Sequence, residues 1–117
     1  MDADLVALLH ERYRRVFQGT RAHQMDVSDG WFELLDVLCA QLEWHLEQTP
    51  ELAEFKVRQI KEKFGTLRVS YSGGDDFCRG AVEMATGMSG SICGVCGGRL
   101  QKVDHAGLVL SRCRDHG

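Results

Sequence analysis

Four residues close to the C-terminus constrain this chain more than anything else in it: Cys93, Cys96, Cys113 and His116, spaced C-x2-C-x16-C-x2-H. Two short donor pairs separated by a hairpin-length insert can fold back and surround one tetrahedral ion. Zinc held by three thiolates and one imidazole is the expected occupant. Protein atoms would fill all four positions, so such a site supports a fold and leaves no place for a substrate or an activated water. Ile92-Cys-Gly-Val-Cys-Gly-Gly98 has the form of a knuckle, whose glycines allow the tight turn in which backbone amides point at sulfur. Cys113-Arg-Asp-His116 repeats the arrangement with imidazole last. His105 is the alternative fourth ligand, because a ligand as near the chain end as His116 depends on the metal to order it.

Composition sets the outer bounds. A chain of 117 residues has room for one domain with a modest core, aided by the metal. No apolar run approaches the roughly 20 residues of a membrane span. The N-terminus, Met1-Asp-Ala-Asp-Leu5, is acidic and lacks the basic flank and apolar segment of a secretory signal. The cysteines read as reduced thiols rather than a disulfide framework, which places the protein in the cytoplasm. Cys39 falls in an apolar helical stretch and is expected in the core. The net charge of −3 hides a division: residues 1–55 carry 4 basic and 11 acidic side chains, and residues 56–117 carry 10 basic and 6 acidic.

Periodicity supplies the elements. Leu5, Leu8, Leu9, Tyr13, Val16 and Phe17 recur at helical spacing after Asp4, a candidate cap. Residues 19–29 lack periodicity and read as a loop. A second helix starts after Ser28-Asp29-Gly30, with Trp31, Leu34, Leu35, Leu38, Leu42 and Leu46 as its apolar stripe, and Thr49-Pro50 ends it. Residues 57–71 alternate between β-branched or aromatic and polar residues, with a turn at Gly65, and predict a β-hairpin. Asp75 or Asp76 then caps a short helix through Val82, Met84, Ala85 and Met88. The expected fold class is α+β: N-terminal helices packed on a β-hairpin, with a C-terminal zinc-ribbon-like module. Residues 1–117 form a single domain, 1–89 being the α+β body and 90–117 the module.

Asp29-Gly-Trp-Phe32, Ile60-Lys-Glu-Lys-Phe-Gly-Thr-Leu-Arg68, Cys93-x2-Cys-Gly97 and Cys113-x2-His116, in that order, resemble a family of small uncharacterised proteins. These occur in phages, prophages and bacterial mobile regions. The likeness covers roughly residues 25–117, and the Lys-Glu-Lys-Phe-Gly segment is its most specific part. It implies an α+β body with a terminal zinc-ribbon-like module, and it carries no established activity. Its genomic setting suggests inhibitors or immunity proteins that neutralise a toxin. Members often carry an aromatic residue shortly before the third cysteine, where this chain has Gly107-Leu108.

Two motifs invite an enzyme reading. His45-Leu-Glu47 with Cys93-x2-Cys96 echoes the zinc deaminases, but Ile92 replaces the proline, and Cys113 and His116 would go unused. Cys93-x2-Cys96, Val103-Asp-His105 and Cys113-x2-His116 follow the order of HNH nucleases. Seven residues between His105 and Cys113 are too few for the missing loop and helix, so Asp104-His105 reads better as a hairpin turn. No catalytic set survives, and stoichiometric binding to a protein partner is favoured, as by an inhibitor or immunity protein acting on a toxin or nuclease. The acidic half offers Asp29, Glu33, Asp36, Glu43 and Glu47 for covering a basic surface. The alternative is nucleic-acid binding by Lys56, Arg58, Lys61, Lys63 and Arg68 on the hairpin, with Arg99, Lys102, Arg112 and Arg114 on the ribbon.

Overall fold

The N-terminal helix, α1 (Ala3–Arg12), begins at Asp2, whose carboxylate accepts from the Asp4 amide at 2.8 Å. The cap is therefore Asp2 and not Asp4, which lies in the first turn where its charge opposes the positive end of the helix dipole. These coordinates are a computed structural model that describes residues 1–19 and 25–99. Val6 and Leu9 of α1 are buried, and Val16 and Phe17 carry the apolar surface on past the helix end.

Helix α2 (Phe32–Gln48) is entered through a 3-10 turn over Asp29–Trp31. Leu34, Leu35, Leu38, Cys39, Leu42 and Leu46 form its buried stripe, at the spacing that keeps one helical face apolar. Neither Ser28 nor Asp29 caps this helix with its side chain. The Asp29 carboxylate instead accepts from the Asp2 amide at 2.7 Å and ties the start of α1 to the entry of α2.

Strand β2 (Lys56–Lys63) pairs antiparallel with β3 (Thr66–Ser72) across the two-residue turn Phe64-Gly65. A bulge between Val57 and Gln59 lets both Val57 and Ile60 face the core, where strict alternation would send one of them to solvent. A further strand, β1 (Met25–Asp26), runs parallel to β2 at Ile60 and Lys61, giving the sheet order β1-β2-β3. It lies in the stretch expected to be a loop, since two residues are too few to show a period.

Helix α3 (Asp76–Ser89) is capped by Asp75, which accepts from the Cys78 amide at 3.2 Å. At its far end the buried Ser89 hydroxyl accepts from the Leu67 amide at 2.8 Å and donates to the Thr86 carbonyl at 2.6 Å, fastening α3 to β3. Val57, Ile60 and Leu67 from the sheet meet Leu35, Leu42, Val82 and Ala85 from the helices in one core, with Trp31 and Phe55 among its largest fully buried side chains. The fold is thus α+β, with three α-helices and a three-stranded sheet among the described residues. None of these helices is long and apolar enough to cross a membrane. Cys113, His116, His105 and the rest of the expected ribbon beyond Arg99 lie outside the described residues.

Candidate metal centre and an apolar groove

Leaving α3, the chain turns at Ser91 and Ile92 into the first cysteine pair. Ile92 and Arg99 bridge as an antiparallel pair, the Cys93 amide donates to the Gly98 carbonyl at 2.7 Å, and the Gly97 amide donates to the Cys93 carbonyl at 2.9 Å. Gly97 takes φ 77°, which a residue with a side chain rarely adopts. The loop aims amides at both sulfurs: Val95 N lies 3.4 Å from Cys93 Sγ, and Gly98 N lies 3.3 Å from Cys96 Sγ. Such N–H groups stabilise thiolate, the form a metal requires, so the two cysteines fit half of a tetrahedral thiolate site.

The knuckle is seated on the entry to α2. The Gly30 amide donates to the Gly94 carbonyl at 2.8 Å, and the indole N–H of buried Trp31 donates to the Ile92 carbonyl at 3.0 Å. A Cβ on Gly30 would stand 2.2 Å from the Cys93 carbonyl oxygen, so the backbones approach as closely as they do because residue 30 has no side chain. Reading α2 by its hydrophobic stripe missed this role. The signal was a glycine beside the first residue of a helix, where an N-cap or turn reading competes with it.

Beside the knuckle, α2 and α3 run antiparallel and leave an apolar groove of about 340 Å³ between them. Leu34, Leu38 and Ala85 make its floor, Val37, Met84 and Met88 its sides, and Ile92 and Gly97 of the knuckle close one end, where Glu33 also lies. Val37 is 57% exposed, Met84 69% and Met88 50%, well above what side chains facing a core would show. Further along α2, Trp44 is exposed too.

At the other end of α2, His45 meets the start of α3. Asp75 accepts from His45 Nε2 at 2.8 Å, and the His45 ring stacks on Phe77 with centroids 4.1 Å apart. Chiefly through the His45 hydrogen bond, the Asp75 carboxyl is held below its ordinary pKa, and burial pushes the Cys78 thiol up. His45, Asp75 and Cys78 offer three ligand atoms within 4.8 Å of one another, a group that can hold a metal ion. Two features weigh against it: the Asp75 carboxylate already accepts from His45 and from the Cys78 amide, and the positive end of α3 faces the site. His45 is therefore a tie between helices. A helical rise of 1.5 Å per residue sets it about 22 Å along α2 from Gly30 and the knuckle, so the structure does not bring the elements of the deaminase motif together.

The acidic candidates scatter. Glu43 is buried and accepts from the Arg15 and Val16 amides at 3.0 and 3.2 Å and from the Arg15 guanidinium at 3.1 Å, so it is an internal strut and not part of an open face. Asp36 accepts from Arg12 at 3.0 Å and from the Tyr13 hydroxyl, whose pKa burial and this carboxylate push up to about 12. Glu47 faces Arg15 at 3.5 Å, Asp29 holds Asp2, and Glu33 lies at the groove. The basic candidates share more. Lys61 pairs with Arg68 in register, and Lys63 and Lys56 alternate on that same outward sheet face, while Arg58 projects from the bulge. Compared with protein-family models, with curated proteins and with solved structures, the chain matches none.

Proposed function

We propose that this protein is a zinc-stabilised binding module that takes an apolar-faced helix of a partner protein into the groove between α2 and α3. Cys93 and Cys96 would hold the ion together with Cys113 and His116, and the ion would serve to fix the knuckle that closes the groove. The observation that carries the reading is the exposure of Val37, Met84 and Met88 along one groove. Long apolar side chains aligned on two neighbouring helices are how helix-in-groove recognition is built, and methionine adapts its shape to the guest. Among the described residues that line the groove, Glu33 is the one side chain that could serve as a general base, and none is a nucleophile. Glu33, and Asp29 just before the groove-lining Gly30, place negative charge at the knuckle end, so the favoured guest is cationic along one flank. Inhibition or immunity against a toxin, the role suggested by the genomic setting of the family that the chain resembles, would be exercised through this groove.

The test uses a synthetic cationic amphipathic helix with leucines at i, i+4 and i+7, and an anionic peptide of the same apolar pattern. Binding is read from the fluorescence of exposed Trp44. The cationic peptide should bind more tightly, and Val37→Glu or Met84→Glu should weaken it at least tenfold without lowering the melting temperature, since both positions face solvent. Equal affinity of wild type and both variants would remove the groove from the proposal. Elemental analysis should find about one zinc per chain.

A further inference from the structure

The hairpin turn between β2 and β3 holds a residue that serves neither the backbone nor the core. Two-residue hairpin turns of this kind need left-handed backbone at both central positions, which Asn-Gly supplies at least cost. Here they are Phe64 at φ 52° and Gly65 at φ 78°. The Phe64 ring is 80% exposed, so the strained position buys no burial. The Lys63 ammonium lies 5.7 Å from the ring centroid. The turn itself is held without the ring, by the Thr66 hydroxyl donating to the Lys63 carbonyl at 2.9 Å.

Behind this tip the outward face of β2 and β3 carries a row of cations, with Asp26 of β1 the acidic neighbour in register beside Lys61. Lys61 and Arg68 stand opposite each other, Lys63 lies two residues nearer the tip opposite Thr66, and Lys56 lies at the far end beside Ser72. Gln59 and Ser70, also paired, fill the middle with hydrogen-bonding groups. Side chains on one strand face recur about every 7 Å, so a row of cations runs back along β2 from the aromatic tip.

We infer that the Phe64 tip and the outward face of β2 and β3 form a binding site for single-stranded nucleic acid. Phe64 stacks on an unpaired base, and Lys63, Lys61 and Arg68 meet successive phosphates of the same strand. An aromatic platform joined to a cationic track is the chemistry that holds single strands without reading sequence. A lipid surface fits less well: with Phe64 inserted, the plane would meet the tip alone, while Lys56 would stand about 23 Å away along the strand. The site lies on the sheet, away from the groove between α2 and α3, so the inference stands apart from the proposed function.

A fluorescent oligothymidylate of about twelve nucleotides, within the span such sites cover, is the probe. Inorganic polyphosphate and vesicles of phosphatidylserine and phosphatidylcholine are the comparisons. Wild type should bind the oligonucleotide at low salt, more tightly than either comparison. Phe64→Asn, which suits the turn better, should raise the melting temperature while weakening oligonucleotide binding between about fivefold and a hundredfold. Lys61→Ala and Arg68→Ala should each lower the salt slope by about one. Val37→Glu should leave this binding unchanged. Phe64→Asn binding as well as wild type would overturn the inference, as would polyphosphate or vesicles competing on equal terms, or no binding at low salt.

Discussion

At Gly30 an added methyl group would meet the Cys93 carbonyl oxygen at 2.2 Å and Gly94 backbone atoms at 2.5 and 2.6 Å, so either the knuckle or the entry to α2 must move. Gly30→Ala should cost about 1–3 kcal/mol in a denaturant melt and speed zinc loss to a chelator. Gly80 in α3 makes the contrast, because a Cβ there meets nothing within 4 Å. Gly80→Ala should stabilise the protein by about 0.5–1 kcal/mol through the lower backbone entropy of its unfolded chain. Both glycines sit beside or within helical patterns, and the sequence does not distinguish them. What separates them is a second backbone, that of Cys93 and Gly94, in one case and solvent in the other.

The elements themselves were largely legible, because α2, α3 and the β2–β3 hairpin each carry a clear period and punctuation. Their ties were not. Glu43 falls on the polar stripe of α2 and so resembles a surface acid, yet the coil after α1 lies across it and presents two amides. The tie between α2 and α3 gives a pH dependence. Folding depresses the Asp75 pKa, mainly through the hydrogen bond from His45. A depressed carboxyl contributes stability above its unfolded pKa of about 3.9, and that stability is lost as pH falls through the lower folded value. Wild type should therefore lose melting temperature on acidification below about pH 4 more steeply than Asp75→Asn, with the two curves converging at low pH. Parallel acid limbs would mean that Asp75 has no part in it.

For the molecule as a whole, the ion is expected to close the knuckle that in turn holds Gly30 and Trp31. Structural zinc in small modules contributes on the order of 10 kcal/mol, comparable with a small domain's entire stability. Prolonged treatment with a strong chelator should lower the melting temperature, open residues 90–117 to protease and shift Trp31 fluorescence; an unchanged melt would count against a structural metal. The sequence by itself determined the α+β class, the hairpin and the cysteine pair, because spacing and periodicity are local properties of a chain. Only the tertiary structure decided that β1 joins the sheet, that Glu43 is internal and that Val37, Met84 and Met88 border one groove. Each of these depends on which distant segments come to lie against one another, and a helix's apolar residues look alike in sequence whether they face a core or an open cleft.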